Sequence, residues 1–365
     1  MRQYSERAIL LIYFDSLQSG SMNNKFLRNN FRALHQKIYF HRYDTQSGKM
    51  PEETKKGSKL KGIIELIRPF TLLAPIIGGI SGALMSFVLQ GPGRIEPTSI
   101  TDISFTQILL AIFGAVTLST INAASNSFNA IYDEEIDRIN KPTRPLVTGA
   151  LSKKDAYAVS ITLYILIIIL SFLFNLAFFL CVLIIILVTI FYSMPPIRLK
   201  KRLWLSNISI AFARGFLGFM AAWCIFDTNP QDSPVPWLVG GIMFLVLVGA
   251  TTAKDFTDVE GDAKFGMRTL PVVYGLRKSA IISSAFLIFP FLLVPIGWIA
   301  GILIVESLVM TLLMAWGALI AYLMLNAPMK QDGKMENSRA WGHMYFLLMT
   351  MQIGFALVYI IAGLV

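Results

Sequence analysis

The stretch INAASNSFNAIYDEEIDRINKPTR, residues 121–144, decides the reading of this chain. It ends a run of apolar and small residues, 106–132, that is long enough to cross a bilayer, since a span needs about 20 mostly apolar residues. The run then turns acidic. Asn129, Asp133 and Asp137 are spaced by four, and each such step advances only about 40° around a helix. The three therefore share one face, stacked over two turns. Carboxylates beside hydrocarbon are expensive, so these residues are candidates for function. Glu134 and Glu135 point elsewhere and read as an ordinary helix end entering water.

A second stretch answers the first. Another apolar run ends in Lys254-Asp255-Phe256-Thr257-Asp258-Val259-Glu260-Gly261-Asp262. Spacings of three and four predict that Asp255, Asp258 and Asp262 share a helical face, with Glu260 turned away. Gly261 and Gly266 predict that the helix loosens into a loop. Two such clusters on one side of a membrane suit a single task, holding hard divalent cations such as Mg²⁺ against a phosphorylated substrate.

Of the 365 residues, 55% are hydrophobic and only 15% charged, with a mean hydropathy of +0.61. That composition belongs to a polytopic, all-α membrane protein rather than a soluble domain. Apolar runs predict nine spans, at 63–90, 106–132, 155–175, 177–194, 204–226, 236–254, 279–300, 302–325 and 341–364, with Pro290 and Pro295 kinking the seventh. All Lys and Arg except Arg94 and Arg214 fall in five regions: 1–68, 133–154, 198–202, 254–278 and 326–340. Nine spans put all five on one face. The positive-inside rule makes that face cytoplasmic, together with the N-terminus and both acidic clusters; the expected residence is the plasma membrane. The net charge of +10 is largely this bias and is no sign of nucleic-acid binding. Cys181 and Cys224 lie in apolar runs and read as packing, and no Cys/His spacing suits zinc. His35 and His41 precede the spans, leaving His343 alone among them.

Residues 1–61 read as a polar, basic arm outside a membrane domain of residues 62–365. The short apolar run Ala8–Phe14, closed by Asp15, makes no convincing signal peptide, and Met22 and Met50 are candidate starts.

Cations cluster near both acidic stretches: Lys141 and Arg144 after the first, Lys254 within the second, and Arg198 and Lys200 in the loop Tyr192-Ser-Met-Pro-Pro-Ile-Arg198-Leu-Lys200-Lys201-Arg202. Each alone suits a topological flank; as a set they suit a diphosphate that metals alone do not neutralise. Arg68, at the inner end of the first span, is a further candidate. Tyr192 is placed to bond a phosphate or to confine a cation. Arg214, inside the fifth span, needs a partner there, either a structural pair or an acceptor contact.

The order of these motifs resembles the UbiA superfamily of intramembrane prenyltransferases over residues 62–364. Asn129-AIY-Asp133-EEI-Asp137, RINKPTRPL with Gly149, YSMPPIRLKKR, and KDFTDVEGDAKFG running on to TLPVVYG carry it; Ala130 stands where many members have Asp. The resemblance implies nine helices around a central cavity capped on the cytoplasmic side. It implies Mg²⁺ and a prenyl diphosphate held by both Asp motifs, a small or lipid acceptor, and transfer inside the membrane. VEGD, YSMPPIRLK and NKPTRPLVTG, with Arg144, lean towards the branch that moves geranylgeranyl onto geranylgeranylglyceryl phosphate in ether-lipid synthesis. The alternatives are prenylation of an aromatic quinone precursor or a tetrapyrrole, a terpene cyclase on the same scaffold, and a non-enzymatic transporter of cations or lipid phosphates.

Overall fold

The structure is a computed structural model that describes residues 52–90, 93–327 and 338–364. Most of the expected arm, with Met22, Met50, His35 and His41, lies outside the described residues. Among the described residues nine helices are long and apolar enough to cross a membrane: Pro69–Val88, Phe105–Asn140, Lys153–Ser171, Leu176–Ser193, Leu203–Trp223, Val235–Asp255, Leu276–Ile299, Val305–Leu325 and Arg339–Ala362. No strand forms among these residues; an isolated bridge joins Arg202 to Arg268. This is an all-α, integral membrane architecture.

Local chemistry sets several starts. Ser104 and Gln107 close a capping box at the second span, and Ser152 and Asp155 another at the third. Asn175 caps the fourth through the Phe178 N–H. Two apolar cores hold the spans together. One gathers Leu118, Phe128, Ile167, Phe178 and Leu217; the other gathers Trp223, Val239, Phe291, Phe355 and Tyr359.

The structure departs from the sequence reading at four places. The first span is not continuous from residue 63. A helix over Glu52–Ile67 stops, Arg68 turns left-handed at φ 55°, and a 3₁₀ turn, Pro69–Leu72, starts the span proper. Pro69 explains the break, because proline pushes the residue before it out of the α region. The second span runs two turns further than expected, to Asn140, so its acidic face lies on unbroken helix. The second acidic stretch is broken: the sixth span ends at Asp255, and a short helix, Val259–Lys264, begins afresh after Asp258. Its three aspartates therefore do not share one continuous helical face. The fifth span contains a π turn, Phe212–Phe216, that no residue pattern announced. The seventh span does give way where Pro290 stands, as a 3₁₀ turn over Phe289–Leu292.

Candidate active site

Three loops from one end of the bundle meet over the acidic residues. Asn140, at the end of the second span, joins two of them: its side-chain amide donates to the Asp258 carbonyl at 2.9 Å, and its oxygen accepts the Gly261 N–H at 3.0 Å. A Cβ on Gly261 would meet Asn140 at 2.6 Å, so the glycine permits the close approach. The loop after the fourth span enters through its cations and through the Arg268 N–H, which donates to the Lys201 carbonyl at 3.3 Å.

Asp133 and Asp137 are both buried on the same helix. Asp133 is held on every side. Asn129 donates to it at 2.7 Å, Lys200 reaches both of its oxygens at 2.5 Å, and the Arg198 guanidinium lies 3.5 Å away. Arg198 also donates to the Tyr132 carbonyl at 2.9 Å, and Ser193 donates to Asn129 at 3.1 Å. Lys200 itself is buried. In the second stretch Lys141 pairs with Asp258. Lys254 donates to the Tyr192 hydroxyl at 3.0 Å and lies 3.8 Å from Asp255. One oxygen of the buried Asp255 has no hydrogen-bond partner. Asp262 is buried too; burial and the neighbouring Asp255 charge push its carboxyl up to about 7. Glu134 instead pairs outward, with Arg138 at 2.6 Å and Lys153 at 3.0 Å.

Among the described residues no three carboxylates, histidines or cysteines group closely enough to hold a metal as they stand. Lysines lie on Asp133 and Asp258 instead. The donor set nonetheless fits a hard divalent cation: carboxylate and amide oxygens, with one buried carboxylate oxygen unpartnered and another carboxyl raised by burial and by a like-charged neighbour.

Arg68, Arg144 and Arg214 have no carboxylate within 4.0 Å among the described residues, and all three line a cavity of about 580 Å³. Its mouth holds Lys141, Lys254, Thr257 and Asp258; its depth holds Leu118, Ile121, Phe219, Leu247 and Leu348. Burial and the charge of Arg144 pull the Arg68 guanidinium down to about 10. Asn126 and Asn122 hold the left-handed turn that aims Arg68. Asn126 donates to the Ile67 carbonyl at 3.1 Å and the Thr71 hydroxyl at 2.9 Å, and Asn122 donates to the Thr71 carbonyl at 2.7 Å.

The model of the UbiA prenyltransferase family matches residues 79–350, most of the chain and both acidic stretches. The chain belongs to the UbiA prenyltransferase family. Digeranylgeranylglyceryl phosphate synthase of Methanothermobacter thermautotrophicus is 31% identical over 239 residues, covering 66% of this chain and 76% of that protein. The same enzyme of Pyrococcus furiosus is 31% identical over 229 residues, 62% of this chain and 74% of that one. A solved UbiA homologue from Archaeoglobus fulgidus, bound to DMAPP and Mg²⁺, superposes with a TM-score of 0.63 at 20% identity, over 82% of this chain and 98% of that chain. A structure of digeranylgeranylglyceryl phosphate synthase in membranes gives 0.55 at 26% identity, over 84% and 99%.

The sequence reading expected the aspartates and the flanking cations to lie near one another; the structure pairs Lys200 with Asp133 and Lys141 with Asp258. That reading missed Asn140, Ser193, Asn122 and Asn126. These are polar residues in otherwise ordinary helix, and only the partner loop reveals their work. Asn122 and Asn126 did carry a signal, since unpaired amides in a membrane span demand partners.

Proposed function

We propose that this protein, a prenyltransferase by family, transfers geranylgeranyl from geranylgeranyl diphosphate to the free hydroxyl of geranylgeranylglyceryl phosphate. The observation that carries this reading is the layered cavity: the Lys141–Asp258 pair and Lys254 at its mouth, arginines without carboxylate partners on its wall, and an apolar depth that suits isoprenoid chains. The named relatives support the choice of acceptor.

In this reading Asn129, Asp133 and Asp137, with Asp255, Asp258 and Asp262, would hold Mg²⁺. Bound there, Mg²⁺ supplies positive charge that neutralises the departing diphosphate. Lys141, Lys200, Lys254, Arg144 and Arg198 bind phosphate oxygens, and Lys141 and Lys200 leave their aspartates to do so. The C1–O bond of the donor breaks, and its electron pair leaves with the diphosphate. The acceptor oxygen bonds to C1 and releases its proton. The apolar lining keeps water from the allylic cation, while Tyr192, bonded to Lys254, borders it.

The basic loops face the cytoplasm, and the enzyme works in the plasma membrane on a lipid acceptor. Residues 1–61 are an accessory arm whose removal spares transfer. Incubating the purified chain with Mg²⁺, geranylgeranyl diphosphate and a panel of acceptors, with products identified by mass, tests this reading. Prenylated glyceryl phosphate supports it. Hydrocarbon formed without acceptor, or a prenylated aromatic in its place, overturns it.

A further inference from the structure

Neither acidic stretch explains Arg214. It sits midway along the fifth span, where a charge is costly and calls for a partner. No carboxylate lies within 4.0 Å of it among the described residues; its hydrogen bond is a long one, 3.4 Å, to the Ser125 hydroxyl. Ser125 lies two turns below Asp133 on the second span, about 12 Å deeper along the helix axis. The guanidinium therefore addresses a level of the cavity below Lys141 and Asp258, in a small polar pocket that it lines with Ser125, Asn129, Tyr192 and Lys254.

Its placement is built in. The π turn Phe212–Phe216 gives this stretch of helix an extra residue, a distortion that recurs at functional sites. Gly215, next in the chain, packs so tightly on the sixth span that a Cβ would meet the Phe244 backbone at 3.0 Å. That contact fixes the rotation of the turn, with Arg214 facing the cavity beside Gly218 and Phe219.

We infer that Arg214, oriented by Ser125, whose hydroxyl donates to the Asn122 carbonyl, forms a second, metal-free anion subsite that receives the phosphomonoester of the lipid acceptor. The inference rests on the acceptor proposed above and names the residues that read its phosphate. A planar guanidinium with five donors and one weak contact has its fork free for two phosphate oxygens. In a glyceryl phosphate the phosphate and the free hydroxyl are borne by adjacent carbons. Anchoring the phosphate below the acidic mouth holds the hydroxyl between the two anion sites, next to the donor carbon. Arg68, on the same wall, lies between the two levels and adds positive charge to both.

Two measurements on the full chain test this. In EDTA, geranylgeranylglyceryl phosphate raises the melting temperature of the wild type but not of Arg214→Gln, while Mg²⁺ with geranylgeranyl diphosphate stabilises both. In steady-state transfer, Arg214→Gln raises the acceptor KM about ten- to a hundredfold, as expected for a lost charge-assisted contact, and leaves the donor KM unchanged. It also erases the preference for this acceptor over its dephosphorylated alcohol. Arg214→Lys and Ser125→Ala shift the same ratio by smaller amounts and keep the test open if Arg214→Gln does not fold. A variant that retains the wild-type phosphate preference overturns the subsite alone. A wild type that uses the alcohol equally well overturns the phosphate acceptor and the subsite together.

Discussion

The two acidic stretches look alike in sequence and are built differently. The first sits on one continuous helix, Phe105–Asn140, and its central aspartate is buried under Lys200, Asn129 and Arg198. The second straddles a break between two helices, and its central aspartate meets a partly exposed lysine. The first is an unbroken helical platform; the second is clamped by its neighbour, Asn140. Equal chemistry does not require equal architecture, and variants separate the two.

The largest effect comes from the central aspartates. Asp133→Ala and Asp258→Ala each abolish transfer to background, because each removes a carboxylate that the proposed reaction requires. Their stabilities diverge. Asp133→Ala strands Lys200, whose side chain is 11% exposed, and removing one partner of a buried pair costs about 3 kcal/mol or more. Asp258→Ala frees Lys141, already 35% exposed, and costs about 1 kcal/mol or less. Product assays and melting curves in detergent check both. Equal melting temperatures break the contrast between platform and clamped segment.

The clamp comes next. Asn140→Ala removes two hydrogen bonds to the backbone of the second stretch. It is expected to lower kcat/KM about ten- to a hundredfold. Gly261→Ala, which drives a methyl into Asn140, acts in the same direction. Full activity in both variants would falsify the dependence of the second stretch on the first.

These contrasts mark what the sequence could convey. The spans, the basic side of the bundle and both acidic stretches were legible, because span length and the cost of charge beside hydrocarbon are local properties. The break at Arg68 was hidden only in part, since Pro69 announced it. The break after Asp255 was not legible: spacings of three and four fit one helix as well as two. Nor was the capture of Asp133 by Lys200 or of Asp258 by Lys141, since those pairs join residues 67 and 117 positions apart. The arm proposed over residues 1–61 carries none of the residues proposed for the site. Deleting residues 1–49 is expected to leave transfer within about twofold, which the same product assay checks.

A smaller effect distinguishes the cations that already have acidic partners from those that do not. Arg144 lines the cavity without a carboxylate within 4.0 Å among the described residues, in a Pro-bounded turn after the first stretch. Arg144→Ala is expected to raise the donor KM about tenfold, and Arg144→Lys by less, since lysine keeps the charge but not the fork. Unchanged donor dependence returns Arg144 to the topological flank.

The smallest and most diagnostic effect is on pH dependence. Asp262, in the broken stretch, has its carboxyl raised to about 7 by burial and by the charge of Asp255. A carboxyl raised on folding favours the fold while protonated, and that contribution is fully present below the ordinary carboxylate range. It is lost as pH rises from there through about 7. In EDTA the melting temperature is therefore expected to fall over that interval, and Asp262→Asn should flatten the slope. A divalent cation competes with the proton for the same oxygens. Mg²⁺ should therefore stabilise the protein more at pH 8 than at pH 6, and the slope seen in EDTA should shrink when Mg²⁺ is present. A slope unaltered in Asp262→Asn shows that the buried charge of the second stretch is carried elsewhere. A slope that Mg²⁺ leaves untouched removes Asp262 from the proposed metal ligands and leaves those proposed for the unbroken first stretch unaffected.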